Sequence, residues 1–140
     1  MKKAAALLLI PILFGSGCAS WQEGANTTLN IISKATDTTR TIGLSTLEVE
    51  CGKIANECFN NGDTACPNLV ACQDKRESFA QYVFAVYQSL FAANVALSFE
   101  NETSAKEYIK KTQKLLLELY KVMELLAPGV FPKASELEAK

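Results

Sequence analysis

Four cysteines, at positions 51, 58, 66 and 72, flank one short turn-rich segment, and no other feature restricts the folding of this chain as strongly. The stretch between the inner two, Phe59-Asn60-Asn61-Gly62-Asp63-Thr64-Ala65, is dense in residues that reverse a chain. On either side, apolar residues recur at alternating steps of three and four, the spacing of amphipathic helices. If the segment carrying Cys51 and Cys58 is helical, two turns hold these thiols about 10.5 Å apart, too far for a bond. Each must then reach across to Cys66 or Cys72. In an antiparallel hairpin the inner pair meets beside the turn and the outer pair one or two turns beyond it. Of the three pairings that four cysteines permit, Cys58 with Cys66 and Cys51 with Cys72 is therefore expected. No C-x-x-C redox spacing and no closely paired zinc ligands occur, so the bridges read as structural, with no metal and no cofactor.

Three helical segments follow from the apolar spacing. The first, about 24–60, carries Ala25, Thr28, Ile32, Ala35, Thr39, Ile42, Thr46 and Val49. A second, overlapping seam runs through Leu44, Leu47, Cys51, Ile54 and Cys58. Threonines crowd the span from Thr27 to Thr46 and would also suit a strand, but a lone strand has no partner in a chain that otherwise reads helical. Breaks are expected at Gly43 or Gly52. The second segment, about 67–99, opens on Pro67, well suited to a first helical position. Its seam is Leu69, Cys72, Arg76, Phe79, Val83, Val86, Leu90, Ala93 and Leu97. From Ser78 to Phe99 it bears no charge, and Phe84, Tyr87, Phe91 and Val95 make it apolar on more than one side. Such a helix belongs in the middle of a bundle or in a membrane. Gln81, Gln88 and Asn94 would be costly in hydrocarbon, which favours the buried central helix, with Asn94 as a satisfied core group that fixes register. The third segment, about 104–127, repeats Ala105, Tyr108, Thr112, Leu115, Leu119, Val122 and Leu126, with Ser104 and Glu107 as a capping box and Pro128-Gly129 as its stop. The expected fold is all-α: an elongated, antiparallel, up-down-up three-helix bundle with a disulfide-stapled hairpin, the third helix packed on the second.

Composition narrows the chemistry. The chain has 140 residues, a net charge of −1 and no histidine. It thus lacks the commonest general base and metal ligand, and it shows no clustered basic excess of the kind that binds nucleic acid. Glu48, Glu50 and Glu57 read as a solvated helix face rather than as opposed carboxylates. No G-x-S-x-G context activates a serine. Lys106, Lys110, Lys111 and Lys114 form a basic stripe with Glu107 and Glu118 near it, suited to solubility or to contact with anionic lipid headgroups. No enzymatic activity is expected.

Lys2 and Lys3, the apolar run Ala4 to Phe14, and Gly15-Ser16-Gly17-Cys18 follow the order of a secretory signal peptide. The cysteine after small residues resembles the lipobox of bacterial lipoproteins, with Gly15 where members of that family mostly carry Leu. The resemblance implies cleavage of residues 1–17 and acylation of Cys18, and Ala19 implies sorting to the outer membrane, facing the periplasm. Residues 18–23 then form a short lipidated tether, with Trp21 placed for the membrane interface, and 24–140 form the helical domain. With Cys18 acylated, the remaining cysteines are even in number, as an oxidising compartment favours. The expected function is that of a membrane-anchored, non-enzymatic binding or structural module that meets a protein partner, or a second copy of itself, through helical surfaces. Two alternatives are a membrane-perturbing or lysis-type protein with 78–99 as its span, and a small-ligand carrier or hydrolase with an unrecognised site.

Overall fold

Ser20 opens the first helix: its hydroxyl oxygen accepts the Glu23 amide at 3.4 Å, and the acidic Glu23 sits at the positive helix end. The computed structural model describes residues 20–129; residues 1–19 and 130–140, Cys18 among them, lie outside the described residues. Within that range the chain forms α1 (Trp21–Asn60), α2 (Pro67–Ser98) and α3 (Glu102–Leu126), and each helix packs on the other two. This is the expected antiparallel three-helix bundle. α1 begins three residues earlier than the apolar spacing predicts, because Ser20 caps it and the helix starts at Trp21.

The threonines of α1 settle into the helix by bonding backward. Thr27, Thr28, Thr36, Thr38, Thr39 and Thr41 each donate a hydroxyl to the carbonyl four residues before, at 2.7–2.9 Å. Thr36 and Thr39 are thereby buried at no polar cost. Neither Gly43 nor Gly52 breaks the helix. Gly43 has a packing role instead: a methyl group built there would lie 2.7 Å from both Cε atoms of the Phe79 ring and closer still to its tip. The absent side chain lets Phe79, fully buried, seat its ring against the α1 backbone.

Burial along α1 follows Ala25, Thr28, Ile32 and Thr39 as expected, then moves to Gly43 and Leu47, leaving Val49 exposed. A three-four seam drifts around a straight helix by about 20° per heptad, so over forty residues the second seam takes over from the first. On α3 the buried row is Ala105, Ile109, Thr112, Leu116, Leu119, Tyr120 and Met123, turned by about one position from the predicted one, and Tyr108 faces outward. The capping box predicted at Ser104 is corrected as well. Asn101 caps α3, its side-chain oxygen accepting the Ser104 amide at 3.0 Å, and the helix starts at Glu102.

Both turns use left-handed residues. Gly62 (φ 67°) closes α1, with the Gly62 and Asp63 amides donating to Phe59 and Cys58 carbonyls. The same closure ends α2, where Glu100 (φ 55°) occupies the position glycine would favour and Asn101 donates to the Ala96 carbonyl. One buried polar contact ties α2 to α3: Thr112 donates to the Ser89 hydroxyl at 2.7 Å, against the Tyr108 carbonyl. Among the described residues no buried side-chain nitrogen or oxygen lacks a partner.

The helices differ in length, with consequences for one end of the molecule. At 1.5 Å per residue, the forty residues of α1 span about 60 Å and the twenty-five of α3 about 37 Å. α3 runs alongside α1 from the end where α2 turns back, and it stops short of the hairpin turn. From Glu48 to Ala71 no residue is buried. This terminal part of the α1–α2 hairpin is a two-helix arm with no third layer.

Candidate functional site

Cys51, Cys58 and Cys66 lie in the arm, and Cys72 is buried at its inner edge. Cys51 bonds to Cys72 and Cys58 to Cys66, with Cα–Cα separations of 5.7 and 5.9 Å, the pairing predicted from spacing. The inner link lies wholly where burial is missing, and the outer one ties the arm to the buried Cys72. By the chain-entropy estimate the outer bridge contributes about 3 kcal/mol and the inner about 2.5 kcal/mol, less when both are present because the loops are nested. Asp63 organises the turn between them: its carboxylate accepts the Ala65 amide at 2.9 Å and the Cys66 amide at 3.4 Å. Pro67 follows at the first position of α2. Glu50 meets Lys75 across the hairpin at 3.7 Å, whereas Glu48 and Glu57 point to solvent. No group of three or more metal-binding side chains occurs among the described residues.

α2 does not have the all-round burial that its composition suggests. Phe79, Val83, Val86, Leu90, Ala93 and Leu97 face the core, joined by Ser89 and Ala96, while Arg76 is exposed. On the outer side, Phe84 and Phe91 keep 61% and 72% of their surface in water, and Val95 is exposed beside them. Two neighbouring helices cover only part of the circumference of α2. Asn94 is also exposed and donates its amide to the Leu90 carbonyl at 3.0 Å, so it is a surface residue rather than a core group fixing register. Among the described residues no helix is long and apolar enough to cross a membrane, which removes 78–99 as a span.

Next to the exposed stripe lies an open groove of about 350 Å³ between α1 and α2, floored by Phe79 and Val83 and walled by Leu44, Ala80, Phe84 and Tyr87. Arg40 stands at its rim. The Tyr87 hydroxyl donates to the Asp37 carboxylate, and this bond fixes α1 against α2 at the groove. Burial raises the Tyr87 phenol above its ordinary range, the Asp37 bond and charge raise it further, and Arg40 opposes them. Burial likewise raises Tyr120 on α3, with a Thr39 hydrogen bond acting in the other direction.

Trp21 is half-buried and packed on the core. In the basic stripe, Lys106 pairs with Glu102 at 2.5 Å, while Lys110, Lys111 and Lys114 are exposed. Sequence reasoning missed the groove because its lining comes from two helices, Arg40 and Leu44 on α1 and Phe79 to Tyr87 on α2, whose juxtaposition no local spacing reveals. The chain matches no family model, no curated protein and no solved structure.

Proposed function

We propose that this chain is a bacterial envelope lipoprotein, held through an acylated Cys18 and acting without catalysis as an interaction module of its helical surface. The observation that carries the interaction role is the uncharged apolar stripe of Phe84, Phe91 and Val95, left open to water along the outer side of α2. Apolar area of this kind on a folded surface marks a contact site. The groove beside it is open rather than enclosed, which suits a protruding side chain better than a small substrate.

Two further features support the anchored reading. Ser20 caps α1, so the bundle starts two residues after Cys18 and an anchor there would hold it close to the membrane. α1 then carries the stapled arm about 60 Å along its own axis from that point. Anchoring of this kind raises the local concentration of a partner without any new contact.

Metabolic labelling with palmitate tests the anchor: the wild-type chain incorporates label and Cys18→Ala does not. Affinity capture of the anchored protein from native envelopes tests the module. Recovery of a partner that is lost on Phe84→Ser plus Phe91→Ser supports it. A lone monomer with no captured partner overturns it.

A further inference from the structure

The exposed face of α2 carries both a knob and a hole. Phe91 projects with 72% of its surface in water, and three helical turns back toward Pro67, Ala80 forms the low wall of the groove between α1 and α2. We infer that this face binds a second copy of the same chain, antiparallel, with Phe91 of each copy seated in the groove of the other. The inference rests on the reading of the chain as an interaction module and names its partner.

Symmetry supplies the first argument. A twofold axis crossing α2 midway between Phe84 and Tyr87 carries each residue to the matching position on the other side of that level. Phe91 then lies over Ala80 of the other copy, and Phe84 over Tyr87. The contact is self-complementary, as an isologous interface requires. A large side chain meets a small one at each end, and aromatic meets aromatic at the centre.

Charge supplies the second. α2 bears none between Ser78 and Phe99, so two copies of it approach without repulsion. The charges that flank the groove are Asp37 and Arg40, one turn apart on α1, both beside Tyr87. The same axis brings Arg40 of one copy to the level of Asp37 of the other. Opposite signs face each other twice, and like signs do not meet.

Area sets the strength of the contact. With aromatic side chains burying about 150–250 Å² each, Phe84 and Phe91 offer roughly 270 Å² between them. Leu44, Ala80 and Tyr87, which line the groove, add to these two rings. A face of this kind stays below the roughly 1,000 Å² that a stable contact clears, in the range of weak and transient interfaces. A face of that size gives a weak dimer in dilute solution, and co-attachment to one membrane raises its effective concentration.

The test uses the full chain in envelopes of the bacterium that makes it, with one cysteine added at the centre of the face, Gln88→Cys, and a short bis-maleimide. A product of twice the chain mass is expected, and Lys114→Cys, on the outer side of α3, gives none. Adding Phe91→Glu or Ala80→Arg to Gln88→Cys is expected to lower the yield at least about tenfold, as loss of a central contact does. Both positions are exposed, so thermal melts of these variants should match the parent. No doubled product at position 88, or one that Phe91→Glu leaves unchanged, overturns the inference. A cross-link of another mass that Phe91→Glu abolishes also overturns it, while leaving the interaction module standing with a different partner. A chain without palmitate that still gives the Phe91-dependent product keeps the dimer and removes the anchor.

Discussion

Replacing Gly43 with alanine tests the packing of α1 on α2 by a single methyl group. In an unobstructed helix interior this change stabilises by about 0.8–1 kcal/mol, since alanine is the better helix former. At Gly43 the added carbon would fall 2.7 Å from two atoms of the Phe79 ring and nearer to its tip. The ring is fully buried and cannot swing into solvent, so the helices must part or the ring must leave its rotamer. Overpacking of this kind costs about 1–3 kcal/mol. Set against the propensity gain, a net loss of up to about 2 kcal/mol is expected in place of a gain, or a fall of up to several degrees in Tm for a domain of this size. Gly24 and Gly52 are internal controls, because a methyl group at either position has nothing within 4 Å. Gly24→Ala and Gly52→Ala should each stabilise by about 0.5–1 kcal/mol. Urea denaturation followed by circular dichroism measures all three. Phe79→Leu, which shortens the ring side, should remove most of the penalty at Gly43 in a double-mutant cycle. If Gly43→Ala stabilises as much as Gly52→Ala, Phe79 does not seat on the α1 backbone and the reasoning fails.

Serine at both Cys51 and Cys72 should lower the global unfolding free energy by about 3 kcal/mol or somewhat less, speeding exchange of the slowest core amides to match and opening the arm locally besides; an unchanged unfolding free energy would count against the chain-entropy reading. Glu100→Gly should stabilise by about 0.5–1 kcal/mol, because Glu100 holds a left-handed conformation that glycine adopts without strain; a loss in the melting curve would argue against that conformation. Tyr87 and Tyr120 both hold their protons more tightly folded than unfolded, where the value is 10.0. Their contribution is therefore complete below about pH 10 and lost as pH rises through the folded values, so the denaturation midpoint should drop from about pH 9 to about pH 11, and less so in Tyr120→Phe. An equal drop in that variant would contradict the assignment.

The helices and the cysteine pairing were legible because both depend on local spacing. Three-four periodicity and the turn between Cys58 and Cys66 do not need knowledge of the neighbours. What depended on neighbours was not legible. The uncharged run in α2 looks the same whether a helix has two partners or four, so Phe84 and Phe91 read as core until the bundle is seen to close on one side only. Asn94 was misplaced for the same reason. On α3, Tyr108 and Ile109 are both apolar enough to face inward, and only the position of α2 and α1 selects Ile109. At Gly43 the sequence shows a missing side chain, and the ring from α2 that fills the space arrives from thirty-six positions away. The candidate contact face depends on all of these, which is why it emerged only from the assembled bundle.

The two-helix arm from Glu48 to Ala71 has one more consequence, for what the chain tolerates. Its side chains escape the volume matching imposed on a packed interior, so apart from the three bridged cysteines it holds and the turn, their identities are set by little more than helix propensity. An epitope grafted at Phe59 or Val70, both open to water, should therefore leave the melting of the bundle untouched. The far end of the molecule is a place where recognition can be rewritten without renegotiating the fold.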